Sequence, residues 1–373
     1  MPTSFSRRVF LGSAGAFSTG CFRKPKTGYT GYAFVANEEG RAVAAVDLNA
    51  LTLVRHIRLD SPPSKIVGRA SRKAVYALTP KTGMVHEISS RKLERERWNA
   101  VCASAIDMKI SPHGDALWVL AREPRQLIEL RLEEFEPGRR IALPEDCVDF
   151  DLSTAKPEAL ATFRDAGQVG VIDLGTGKLR RIECGSAVSM ARFRKDGRQW
   201  IAAHADKRLL SIFDTVSGRV VVRLPLAVRP DHFCFKADGG QLFVTGEGMD
   251  AVVIVFPYST EVAETVAAGH APGAMAVSSH DPEFLFVTNP RSGQVTILNI
   301  ESRRMVGVAQ VGADPSSIVV TPDSQYALVL NRQSGDMAVI YIMPTAKRTK
   351  SPAALLTMIP VGSKPVSAVV QSV

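Results

Sequence analysis

A hairpin-like phrase recurs along this chain at a nearly constant interval, and that interval constrains the fold more than any other feature. Residues 284–300, FLFVTNPRSGQVTILNI, set two alternating apolar runs on either side of the turn-forming stretch Asn289-Pro290-Arg291-Ser292-Gly293. A lone hairpin is marginal in water, so other elements must cover it. Equivalent phrases end at Asn37, Thr79, Ala121, Phe163, His204, Gly246, Asn289 and Asn331, which places successive copies 41 to 43 residues apart. So steady a period over the whole chain makes this a repeat protein.

Each repeat holds four strand-sized pieces. In the seventh copy these are Met275-Ala276-Val277, Phe284–Thr288, Val295–Ile300 and Arg303–Val311, after which Gly312-Ala313-Asp314-Pro315 opens the next copy. Alternation and short β-branched runs replace the 3.6-residue periodicity that stacked helix pairs would show. Four strands in about 42 residues is the pattern of a propeller blade, so the expected fold is all-β, a single propeller over residues 31–373. The first copy begins at its second strand, Tyr32–Asn37, and the missing inner strand returns at the C-terminus. There, Val361-Gly-Ser-Lys-Pro365 followed by Val366–Val373 matches Val311-Gly-Ala-Asp-Pro315 followed by Ser316–Asp323. The last strand is therefore expected to complete the first blade, giving eight blades, with seven as the alternative. The final copy is longer than the others, and its basic stretch Pro344–Ala354 is assigned to a loop.

The formal net charge is +9, and losing Arg7 and Arg8 with the segment before Cys21 would lower it to +7. A cationic surface favours anionic ligands of any kind. No basic-aromatic signature accompanies the charge, so no nucleic acid partner is expected. Ser6-Arg7-Arg8-Val9-Phe10-Leu11 precedes a mildly apolar stretch ending at Gly20, too short to span a membrane. This segment, 1–20, reads as an export signal resembling the twin-arginine type, followed by a tether over 21–30. Ser18-Thr19-Gly20-Cys21 also resembles a lipobox, which makes Cys21 the candidate for lipidation and membrane tethering, although Ser18 stands where lipoboxes usually carry Leu. The expected location is periplasmic or extracellular, with or without the lipid anchor. The other cysteines, Cys102, Cys147, Cys184 and Cys234, form no CxxC pair and are expected to be buried thiols, with a bridge between two of Cys102, Cys147 and Cys184 as the alternative.

Phe286-Val287-Thr288-Asn289, the strand Val295–Ile300, Val311-Gly312-x-x-Pro315 and Val320-Thr321-Pro322-Asp323 together resemble the YVTN-type β-propeller repeat over roughly residues 31–373. That resemblance implies an exported propeller whose relatives include haem d1-binding domains and sugar-lactone hydrolases. A propeller is a scaffold for unrelated sites, so the resemblance implies fold more than function.

In a propeller, ligands meet the face that carries the hairpins between second and third strands. Arg164, His204, Glu247, Asp250, Arg291 and Arg332 are expected there from the hairpins, and Asp231, His232 and His270 from the crossings. Histidine is the residue that changes charge between pH 5 and 8, and it also ligates haem and metals. His204, His232 and His270 are therefore the first candidates, and Arg164, Arg291, Arg332 and Asp231 supply charge. Asp231 and His232 are adjacent, so on a regular strand they would point to opposite sides. Asn37, Asn289 and Asn331 read as turn residues bonding their own backbone. Gly246-Glu247-Gly248-Met249-Asp250-Ala251 matches a dinucleotide fingerprint in form, but Val252–Phe256 after it is a strand rather than the required helix. No CxxCH, HExxH, GxSxG, Walker or EF-hand spacing occurs, so no cofactor, metal or catalytic residue is assigned. The sequence reads as a non-enzymatic binding propeller for a small molecule, glycan or protein. The alternative is an enzymatic or cofactor-handling one, binding a haem d1-like tetrapyrrole or hydrolysing a sugar lactone.

Overall fold

The computed structural model describes residues 28–69, 72–163, 167–204, 206–343 and 353–372. The expected export signal, most of the tether with Cys21, Arg164 and residues 344–352 of the expected basic loop lie outside the described residues. The chain forms eight four-stranded antiparallel sheets arranged as an eight-bladed propeller. Seven blades follow one another along the chain. The eighth sheet joins Gly31–Asn37, Ala42–Asp47 and Thr52–Arg58 to the C-terminal strand Pro365–Ser372. Blades are numbered here from that composite one. The register runs from Gly31 opposite Ser372 to Asn37 opposite Pro365, so the two ends of the described chain meet as expected. The final insertion is shorter than the sequence suggested. Ala353 and Ala354 already belong to the outer strand Ala353–Pro360, where they pair with Ile342 and Tyr341.

Burial explains the strand composition. A second strand such as Phe284–Asn289 is buried at every position because neighbouring blades cover both of its faces. An outer strand such as Glu94–Ala100 alternates exposed and half-buried residues and has water along one edge. The core is split into interblade layers, for example Phe284, Phe286, Val295 and Ile297 against Ile318, Ala327, Val329 and Ile340.

The repeated asparagines are not turn residues. Asn37, Asn289 and Asn331 are buried at the ends of second strands, where each side chain lies on the glycine of the V-G-x-x-P-type crossing. Asn37 Nδ2 donates to the Val361 carbonyl at 2.7 Å, Asn289 Nδ2 to Thr296 Oγ1 at 2.9 Å and Asn331 Nδ2 to Asp336 Oδ1 at 2.6 Å. A Cβ on Gly269 would sit 2.7 Å from Asn289 Oδ1, and one on Gly312 would sit 2.7 Å from Asn331 Nδ2. The asparagine and the glycine of the motif are thus two halves of one contact, and the amide bonds across strands and blades.

Only part of the channel wall formed by the inner strands is apolar. Lys65 Nζ lies 3.5 Å from Asp107 Oδ1 in the next blade, and Lys109 Nζ lies 2.9 Å from Asp151 Oδ1 in the one after. The Arg192 guanidinium takes both oxygens of Asp149, and Asp151 Oδ2 accepts the Phe193 amide at 3.0 Å. Burial works against the Arg192 charge, but Asp149, Asp151 and Asp107 outweigh it and raise its pKa. Around the rest of the ring, the positions matching Lys109 are Cys234, Ala276, Val319, Val369 and Val67. One arc of the channel is ionic and the remainder carries small neutral side chains.

Candidate functional site

In six blades, one residue near the start of the inner strand bulges out of the pairing. These residues are Ile106, Val148, Ser189, Asp231, Ser316 and Val366. A bulge re-aims a side chain without ending the strand. Asp231 is the charged member of this set. Pro230 pairs with Gly246 and His232 with Thr245, so Asp231 has no partner position of its own. That corrects the expectation that Asp231 and His232 face apart. The extra residue breaks the alternation, and both line one cleft, with Asp231 Oδ2 3.9 Å from His232 Nε2.

The cleft encloses about 710 Å3 between the sixth blade and the seventh, on the hairpin face. The bulged strand supplies Asp231 and His232, and the hairpin of the sixth blade supplies Glu247, Met249 and Asp250. The crossing Ala268-Gly269-His270-Ala271-Pro272 brings His270, and the seventh blade's hairpin brings Arg291. This crossing is a further copy of the V-G-x-x-P turn. Ala271, Asp314 and Lys364 occupy its second variable place at φ of 51°, 57° and 57°. The left-handed residue before proline turns the chain sharply and leaves His270 on the outside of the bend.

Asp250 organises this corner. Its Oδ1 accepts the Ala271 amide at 2.9 Å, and its Oδ2 accepts Nδ1 of His270 at 3.0 Å. These bonds, led by the Ala271 amide and aided by His270 and Arg291, hold the Asp250 carboxyl below the usual carboxylate range. His270 is left with its Nε2 free of that contact. Glu247 pairs with Arg229 directly across the strands. Arg291 is exposed and forms no ion pair among the described residues.

The structure therefore brings together Asp231, His232, His270 and Arg291. Arg332 is elsewhere, in a second cleft of about 680 Å3 between the eighth and first blades, where its Nε donates to Asp314 Oδ2 at 2.8 Å. His204 is fully buried, with Nδ1 2.7 Å from Ser186 Oγ and Nε2 2.8 Å from Ser211 Oγ, and burial lowers its pKa. Both its nitrogens are occupied and it lines none of these clefts. Arg229 was not recognisable beforehand, since its partner Glu247 lies 18 residues away. Cys102, Cys147, Cys184 and Cys234 are free thiols, and burial pushes Cys102 up to about 11 and the others to about 12. No group of three or more His, Cys, Asp or Glu side chains among the described residues is arranged to hold a metal ion.

No family model matches the chain. A seven-bladed beta-propeller protein of Mycobacterium tuberculosis is 24% identical over 150 residues, covering 39% of this chain and 38% of that one. The chain thus matches well under half the length of this curated relative. Among solved structures, the dihydro-heme d1 dehydrogenase NirN in complex with DHE superposes with a TM-score of 0.75 at 11% identity, covering 93% of this chain and 77% of that one. Kuenenia stuttgartiensis hydrazine synthase gives a TM-score of 0.60 at 18% identity, over 79% of this chain and 99% of that one. A functionally unknown protein from Desulfotomaculum acetoxidans gives 0.61 at 13% identity, over 92% and 99%. The likeness is one of fold. The chain is a β-propeller.

Proposed function

We propose that this protein is an exported binding propeller whose ligand seat is the cleft between the sixth and seventh blades. The observation that carries this reading is the convergence there of three separate segments, which place Asp231, His232, His270 and Arg291 around one concavity. Convergent polar groups in a pocket are what fixes a ligand's orientation. The site is assembled from exposed side chains on an inner strand, a crossing and a hairpin turn. The test is a thermal-shift screen of acidic metabolites and glycans, repeated on Arg291→Ala and on Arg332→Ala. Stabilisation by a hit should vanish in the first variant and persist in the second. Stabilisation indifferent to Arg291 places the ligand elsewhere and refutes the reading.

A cofactor-handling propeller is the second reading, motivated by the likeness to NirN in fold. His232 and His270 would be the ligands to a haem d1-like tetrapyrrole. The cleft's apolar lining is limited to Met249, Ala271, Pro272 and Pro290, which is little surface to cover the faces of a macrocycle. The residues present do not fit that group well, and the binding reading is preferred. An absorbance spectrum after adding a tetrapyrrole decides between them, since a Soret band lost in His232→Ala and His270→Ala would favour the second.

A further inference from the structure

The cleft contains two imidazoles, each beside its own carboxylate, and every charge around them can be named. The fifth blade's hairpin brings Arg208, whose guanidinium lies over Gly248. The sixth blade's inner strand brings Arg229, Asp231 and His232, and its hairpin brings Glu247 and Asp250. The crossing brings His270 and the seventh blade's hairpin Arg291. Among the described residues, three carboxylates thus face three guanidiniums, and the sum is zero while both imidazoles are neutral. With both protonated the sum is +2. Imidazole makes that change between pH 5 and 8. The carboxylates do not cancel it, because the three guanidiniums already balance the charges of Asp231, Glu247 and Asp250. Arg291 forms no ion pair among the described residues.

We propose that the ligand of this cleft carries an oxyanion group, a carboxylate or a phosphate or sulfate ester, that Arg291 anchors and protonation of His232 and His270 locks in. This rests on the cleft being the ligand seat and adds the ligand's chemistry and its proton coupling. An anion bound beside an imidazolium favours the charged ring, so its affinity falls by up to tenfold per pH unit per imidazole above the imidazole's pKa.

Inorganic sulfate is the probe, because its charge is constant over the range, and the ring-proton NMR signals of the histidines are the readout. Sulfate should shift the His232 and His270 signals and bind at least tenfold more tightly at pH 5.5 than at pH 8.0. H232Q and H270Q should each weaken the pH dependence, and the double variant should flatten it. R291A should weaken binding at both pH values by a similar factor. All three side chains are exposed, so the variants are expected to fold, which an unchanged melting temperature verifies. Sulfate that binds with equal affinity at both pH values, still losing affinity in R291A, overturns the proton coupling and leaves the cleft as the seat. Sulfate that shifts neither ring at any pH overturns the oxyanion assignment. The cleft reading itself falls only if ligands from the thermal-shift screen also ignore Arg291.

Discussion

Acid should loosen this propeller from within, through a histidine far from the cleft. His86 lies in the second blade's third strand, Met84–Ser89, with no exposed surface. Its Nε2 is 3.3 Å from Thr79 Oγ1, and its Nδ1 has no hydrogen-bond partner. Burial, and then the Arg95 charge, depress its pKa from 6.5 to about 4. As pH falls below 6.5 the unfolded chain takes a proton at this ring, while the folded one does not until about pH 4. Stability from the neutral ring is therefore complete above pH 6.5 and drains away down to about pH 4. The linkage amounts to about 2 kcal/mol between pH 7.5 and pH 5, and to about 3 kcal/mol in full. In a chain of this length 2 kcal/mol is worth roughly 3 °C in melting temperature. Calorimetry and urea unfolding of the wild type and His86→Gln between pH 7.5 and pH 5 provide the measurement, and carboxylate effects common to both cancel in the difference. The wild type's margin over the variant should shrink by about 2 kcal/mol on acidification. A margin that stays constant with pH would show that the buried ring is protonated without penalty and would refute the reasoning.

Other perturbations test other parts of the ring. Gly269→Ala places a Cβ 2.7 Å from Asn289 Oδ1 at a φ of +83°, and urea unfolding should show a loss of about 2–4 kcal/mol. Asp149→Ala strands the Arg192 guanidinium in the channel wall and should cost about 2 kcal/mol, whereas a valine at Ala276 on the neutral arc should change stability by less. Deleting Val366–Val373 uncovers the edge of Gly31–Ala36, so light scattering should report aggregation. A truncated chain with an unchanged melting temperature would disprove the closing pair.

What the sequence disclosed and what it hid follow from the range of the interactions involved. The blade count was legible because strand alternation and turns are local and recur every 42 residues or so. The role of Asn289 was not, since an asparagine before a turn looks the same whether it bonds its own loop or lies on Gly269. The ionic arc was hidden because Lys109 and Asp151 meet only through the stacking of separate blades. Of the candidate residues, His270 and Arg291 sit at predictable loop positions and His232 on an inner strand. Asp231 joined them through a bulge that no residue type announces. His204 occupies the register place of Asn289 and Asn331, and like them it turned inward.

The join between Gly31–Asn37 and Pro365–Ser372 has a consequence for how the molecule is made. During synthesis the first blade waits as a three-stranded remnant while seven others emerge, and its closing strand Pro365–Ser372 appears only after them. Until then, the ring is an open arc with an unsealed seam, and a ribosome that stops short releases a product that cannot close. Synthesis through Ser372 is thus a condition for the finished shape, and a change within Pro365–Ser372 acts on the molecule's clasp.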